Sequence, residues 1–282
     1  MENLPRPIVI PTDFTVVAQY AIESAVPIAK LSNTGIMLLH IVEKSSEIPK
    51  AIVKIEQEAQ NVALKHGVQV QGLVRDGSLF KTIRETASKH DATLIIMGTH
   101  GIKGMQKLVG SRALKVIIKS KIPFIVVQDA PRKQTIDRIV FPIDHKRECR
   151  EKIGWAYFVA KLFGSKIQII TAQSKVLFWT DKKLQKSVKT NLLFTEKFLK
   201  TKNINYEVVT AKGEKSFAKE AMRYAERIDA DLVLITTTKH VSWADYLLGI
   251  VDEGIITNDA NIPIMCINPR TTNIGGFSTS GG

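Results

Sequence analysis

The sequence predicts an α/β protein built twice over: two tandem domains, each a five-stranded parallel sheet flanked by helices. Three observations carry this. First, phrases recur in order. Arg6-Pro7-Ile8-Val9-Ile10-Pro11-Thr12-Asp13 returns as Arg138-Ile139-Val140-Phe141-Pro142-Ile143-Asp144. Asp91-Ala92-Thr93-Leu94-Ile95-Ile96-Met97 returns as Asp229-Ala230-Asp231-Leu232-Val233-Leu234-Ile235, and Ile122-Pro123-Phe124 as Ile262-Pro263-Ile264. Second, the period is roughly 130–140 residues, far longer than the ~20–50 of solenoid repeats, so the unit is a whole domain. Third, short Ile/Val/Leu runs alternate strictly with amphipathic runs. That alternation implies a parallel sheet with right-handed crossovers.

In the first copy the strand-like runs are Ile8–Ile10, Ile36–Val42, Val68–Val74, Leu94–Met97 and Phe124–Val127. They are apolar on both faces, as strands covered by helices on both sides must be. Between them lie helix-period segments. Tyr20, Ile22, Ala25, Val26 and Ala29 mark the first, and Ile52, Ile55, Ala59, Val62 and Ala63 the second. Phe80, Ile83 and Ala87 mark the third, and Leu114, Ile117 and Ile118 the fourth. The second copy repeats the order with strands Ile139–Phe141, Ile167–Thr171, Tyr206–Val209, Leu232–Ile235 and Ile264–Ile267. Its clearest helix places Leu184, Val188, Leu192, Thr195, Phe198 and Leu199 on one face. The polar, proline-containing stretch from Asp129 to Thr135 reads as a linker. The expected domains are 1–130 and 136–270, with a small, polar, disordered tail at 271–282.

Composition bounds the function. The chain has 282 residues, 44% apolar and 24% charged, as in ordinary globular proteins. No stretch approaches the ~18 apolar residues of a membrane span, and the start is not a secretory leader. Two cysteines, Cys149 and Cys266, make neither a disulfide framework nor a metal site and suit a reducing cytoplasm. The net charge of +13 is spread over both halves. It attracts anions in general, but no nucleic-acid motif accompanies it, so neither a nucleic acid nor a membrane is expected as partner.

One phrase is not repeated. After its fourth strand the first copy carries Gly98, Gly101, Gly104 and then Gly110-Ser111 before a helix; the second carries Thr236 to Gly249 without that spacing. Phosphates seek backbone N–H groups and a positive helix end, and glycines let the backbone approach an anion. In open parallel sheets ligands sit beyond the carboxyl ends of the strands. The loop after strand one, Pro11-Thr12-Asp13, lies at that end too. Asp13 suits a turn or helix cap as well as an acceptor for ribose hydroxyls or the purine edge. His40 reads as a core or edge histidine. His100 stands in the glycine loop, and neither it nor the other histidines form a metal pattern. Walker, GxGxxG and GxSxG motifs are absent. In the second copy Asp252 and Glu253 stand at the corresponding helix start, where carboxylates repel a phosphate.

Taken together, Ile8-Val9-Ile10-Pro11-Thr12-Asp13, Leu38-Leu39-His40-Ile41-Val42, Ile95-Ile96-Met97-Gly98-Thr99-His100-Gly101, Gly110-Ser111 and Ile122-Pro123-Phe124-Ile125-Val126-Val127 resemble the universal stress protein family in its tandem form. The resemblance covers residues 6–128 well and 137–268 more faintly. It implies Rossmann-like (adenine-nucleotide α-hydrolase-like) domains that pair through their last strands, within the chain or in a homodimer. It also implies adenine-nucleotide binding, ATP or AMP, with Mg2+ as an optional companion. By the family pattern Met97, Gly98, His100 and Gly101 open the phosphate loop, and Gly110 with Ser111 closes it. Pro11, Thr12 and Asp13 meet the ribose or base, and Val42 meets the adenine by its backbone. The chain departs from that pattern in two places: eight residues, Ile102–Val109, separate the glycine pairs where the family has nine, and Ala113 replaces a second hydroxyl.

The expectation is therefore a cytoplasmic stress-response protein with one nucleotide site, in the first half, and a regulatory role. No positioned base or metal-holding carboxylate pair accompanies the loop, so at most slow ATP hydrolysis is expected and no catalytic residue is assigned. The alternatives are a scaffold that binds no nucleotide and acts through protein assembly, and an adenylating or nucleotide-transferring enzyme.

Overall fold

A computed structural model describes residues 4–99, 120–145, 150, 152–172, 182–212, 217–236 and 261–268. The chain divides into two compact units, Met1–Gln134 and Thr135–Gly282. The first runs β1 (Ile8–Pro11), α1 (Val16–Ser32), β2 (Ile36–Val42), α2 (Ile48–His66), β3 (Val70–Asp76), α3 (Leu79–Lys89), β4 (Leu94–Gly98) and β5 (Phe124–Val127). Its strands lie in the order β3-β2-β1-β4-β5, every pairing parallel. The second runs β6 (Arg138–Ile143), α4 (Ile153–Phe163), β7 (Lys166–Thr171), α5 (Lys182–Thr201), β8 (Tyr206–Thr210), α6 (Phe217–Arg227), β9 (Leu232–Thr236) and β10 (Ile264–Ile267). Its order, β8-β7-β6-β9-β10, is the same and again parallel. The helix expected from Leu114, Ile117 and Ile118 lies outside the described residues.

The central strands are buried throughout: Ile8, Val9 and Ile10 in one unit, Ile139, Val140 and Phe141 in the other. Two-sided burial explains why these runs are continuously apolar rather than alternating. The helices stop where the sequence supplies left-handed residues. Asn33 (φ 51) and Gly67 (φ 64) cap α1 and α2 and return their N–H groups to carbonyls of the last turn. The α2 stop explains one difference from expectation. The helix runs to His66 and reverses through Gly67, so β3 starts at Val70 rather than Val68. The recurring Asp-Ala phrase has the same kind of job. Asp91 and Asp229 both adopt positive φ (47 and 49), and Ala92 and Ala230 donate to Ala87 and Ala225 at the ends of α3 and α6. Repetition there reflects a shared turn rather than shared chemistry.

Cys266 lies in β10, buried as its apolar setting suggests, and burial pushes its thiol up to about 12. It stays a neutral thiol at physiological pH and offers no thiolate for redox or metal chemistry. Cys149 lies outside the described residues. Among the described residues no helix is long and apolar enough to cross a membrane.

Candidate functional site

In the first unit β1 bonds β2 on one side and β4 on the other. The connections leave in opposite directions from that point and open a crevice beyond the strand ends. The crevice holds a cavity of about 160 Å³. Its polar wall is Thr12 and Asp13 after β1, Thr15 ahead of α1, His40 in β2 and Thr99 after β4; its apolar wall includes Leu39, Ile41, Leu79, Phe80, Ile83 and Met97. The volume is below the roughly 300 Å³ at which pockets enclose a whole drug-sized ligand. It suits one ring system held in the crevice, with the rest of a ligand outside it.

Of the residues expected at the site, Pro11, Thr12, Asp13, Met97 and Gly98 converge here. Val42 does not line the cavity. It is buried, and its carbonyl accepts the Gly77 N–H at 3.1 Å. In β2 the residues that line the cavity are Leu39, His40 and Ile41. His100, Gly101, Gly110 and Ser111 lie outside the described residues. Sequence reasoning passed over His40, Ile41, Thr99 and Phe80 as wall residues. The signal for the first two was their place near the carboxyl end of strand two.

The turn after β1 is tightly bonded. The buried Thr12 hydroxyl accepts the Phe14 N–H at 3.0 Å, and His40 Nδ1 donates to the Thr12 carbonyl at 2.8 Å. That bond makes Nδ1 the protonated nitrogen. Asp13 Oδ1 accepts the Thr15 N–H at 3.1 Å and the Thr15 hydroxyl at 2.6 Å. Thr15 in turn caps α1 by accepting the Ala18 N–H at 3.5 Å. One Asp13 oxygen thus serves the turn, so the structural role foreseen for Asp13 is occupied while the residue still lines the cavity. Phe14 pays for the geometry with a left-handed backbone, φ 64. Its ring lies 4.6 Å from the His40 ring, and Lys54 Nζ sits 3.8 Å above it.

Glu58 on α2 stands near this turn, and one of its carboxylate oxygens is buried without a partner. Burial raises its pKa; Lys54 opposes the shift and Asp13 adds to it. A carboxyl raised on folding stabilises the fold at low pH, where it is protonated. That contribution is lost as pH rises through the raised value. Glu58→Gln is therefore expected to remove this loss and to leave the protein at least as stable as the parent at pH 7. Urea midpoints at pH 4 and pH 7 check it; a variant less stable than the parent at pH 7 contradicts the assignment.

Gly98 has a steric reason to be glycine. A Cβ there would lie 2.1 Å from the Val17 carbonyl oxygen and 2.8 Å from Val17 Cγ1. The first turn of α1 therefore rests directly on the end of β4. Thr99, one residue on, has a buried hydroxyl with no hydrogen-bond partner among the described residues. A buried polar group of this kind calls for an explanation, and a ligand in the adjoining cavity is one.

The second unit differs at the same place. Thr236 pairs with Ile267 in β10 as Gly98 pairs with Val127 in β5. Lys152, the residue before α4, is buried and reaches the ends of β6 and β9. Its Nζ donates to the Pro142 carbonyl at 2.5 Å and the Leu234 carbonyl at 3.3 Å, and it lies 4.5 Å from the Phe141 ring centre. A protein ammonium thus bridges the neighbouring ends of β6 and β9 in the second unit. Asp252 and Glu253, expected to repel a phosphate there, lie outside the described residues.

Fold and crevice define a tandem α/β protein of the Rossmann-like class. The universal stress protein family model matches residues 5–128 and 135–268. Universal stress protein MJ0531 of Methanocaldococcus jannaschii is 34% identical over 149 residues, spanning 47% of this chain and 87% of that protein. Universal stress protein Sll1654 of Synechocystis is 26% identical over 136 residues, spanning 43% and 85%. A universal stress protein from Archaeoglobus fulgidus shares the fold at a TM-score of 0.66 and 17% identity, covering 94% of this chain and 99% of its own. The chain belongs to the universal stress protein family, with two copies of the family domain in tandem.

Proposed function

We propose that this chain is a cytoplasmic universal stress protein that binds one adenine nucleotide, ATP or AMP, in its N-terminal domain and uses it in a regulatory or stress-tolerance role. The observation that carries the reading is the crevice of the first unit, a cavity at the ends of β1, β2 and β4 beside the glycine phrase that the second copy lacks. The apolar wall around Leu39, Ile41 and Phe80 suits a flat base. The Asp13 oxygen not used in the turn suits a ribose hydroxyl, and the Thr99 hydroxyl is a further polar contact. Phosphates fall to Gly98 and to the loop phrase Gly101, Gly110 and Ser111, whose sequence is intact apart from its one-residue shortening. Mg2+ would accompany the phosphates of ATP. Asp13 Oδ1 and His40 Nδ1 are both engaged in the turn after β1, and binding rather than turnover is the activity expected.

The alternative, a scaffold that binds no nucleotide, draws on the small volume and the shortened loop. Denaturing the purified protein and chromatographing what it releases separates the two. The nucleotide reading expects ATP, ADP or AMP from the parent and a loss of more than tenfold from Gly110→Asp with the fold retained. Release from neither protein, together with no uptake of added ATP, favours the scaffold.

A further inference from the structure

A second feature distinguishes the two units. Helix α5 carries Lys182, Lys183, Lys186, Lys189, Lys197 and Lys200 against one acidic residue, Glu196. At 3.6 residues per turn, positions 182, 186, 189, 193, 197 and 200 form a single stripe along ~27 Å of helix. Five of the six are lysine, all exposed, and none has a carboxylate partner among the described residues. The sixth is Leu193, 56% exposed, with Phe194 beside it at 43%. The opposite face is buried through Val188, Asn191, Thr195 and Leu199. Glu196 is drawn away toward β8, where it accepts the Tyr206 hydroxyl at 3.2 Å. The corresponding helix of the first unit, α2, has no such stripe: its Lys54 lies on Phe14, its Lys65 pairs with Glu23 at 3.6 Å, and Glu56 and Glu58 interrupt it.

We propose that the exposed face of α5 docks the protein on an anionic lipid surface, with the lysines meeting headgroup phosphates and Leu193 and Phe194 entering the interface. Charge complementarity selects an anionic partner, and each lysine near such a surface strengthens partitioning by about fivefold. Two details favour a bilayer over a nucleic acid. An exposed leucine interrupts the stripe at its centre, where a phosphate chain would want a cation. One face of the Phe194 ring is covered by Arg150 at 5.1 Å, which halves the ring's use as a stacking platform for a base. That no helix among the described residues is long and apolar enough to cross a membrane does not bear on this, because docking by one helix face needs no span. The proposal runs against the expectation that no membrane is a partner.

The test is flotation of the full chain with vesicles of phosphatidylcholine alone and of an equal mixture of phosphatidylcholine and phosphatidylglycerol. The proposal expects binding to the mixed vesicles only, weakened by salt. It expects a loss of more than tenfold in the double variant Lys186→Glu/Lys197→Glu and a loss of several-fold in Leu193→Ser, each with unchanged circular dichroism. No binding to mixed vesicles overturns it, as does equal binding by the double variant. Lipid binding indifferent to Leu193→Ser, alongside equally tight binding to duplex DNA, overturns it too, and makes the stripe a general polyanion surface.

Discussion

Gly98→Ala is expected to destabilise the first unit by roughly 3 kcal/mol or more and to abolish nucleotide uptake even where the fold survives. The added carbon would sit 2.1 Å from the Val17 carbonyl oxygen and 2.6 Å from its carbon. These are backbone atoms in the first turn of α1, so no side-chain rotation relieves the clash. Overpacking in a core costs ~1–3 kcal/mol when side chains can adjust, and more when a helix must move. Val17 and Ala18 also line the crevice, so a displaced α1 reshapes the site. Denaturant midpoints and ATP titration of the variant give the two readouts. A variant as stable as the parent would show that the contact between α1 and β4 is looser than described. The glycine that opens the family's phosphate pattern thus has a packing role independent of any phosphate.

The second large effect is expected at Lys152. Lys152→Ala removes three of the stem's four carbons, worth ~0.8 kcal/mol per buried CH₂, and the donor to two carbonyls, offset by several kcal/mol for no longer burying an ammonium. The net expectation is a loss of about 2–4 kcal/mol in the second unit. Lys152→Met, which keeps most of the stem, should lose less. Neither variant should gain nucleotide binding, since the second copy lacks the glycine phrase. Equal stability of Lys152→Ala and the parent would remove Lys152 as a structural filler. A second bound nucleotide in the variant would instead show that Lys152 alone keeps that crevice closed.

The fold was legible because its signals are local. Ile8–Ile10 and Ile139–Phe141 are apolar throughout since both faces of each strand are covered, and the repeated Asp91 and Asp229 mark helix ends. The crevice was legible as strand ends: the rule for open parallel sheets points to Thr12, Asp13 and Gly98, and the family pattern adds Pro11 and Met97. Its details were not. β2 enters the wall through Leu39, His40 and Ile41, and no motif sets these three apart from the rest of that strand. Phe14 gives no sign of its left-handed backbone, which depends on the Thr12 hydroxyl, His40 and Lys54 arriving from three elements. Lys152 is the clearest case. A lysine ahead of a helix reads as solvated, since lysine is almost never fully buried. Only the closure of β6 and β9 around it shows that it is buried and bonded to two strand-end carbonyls.

The central claim is one nucleotide site per chain, in the first unit. Isothermal titration of the nucleotide-stripped full chain with ATP tests it most directly. The account predicts one ATP per chain in the parent and in Lys152→Met, and none in Gly110→Asp. Two per parent chain, or none, would contradict it.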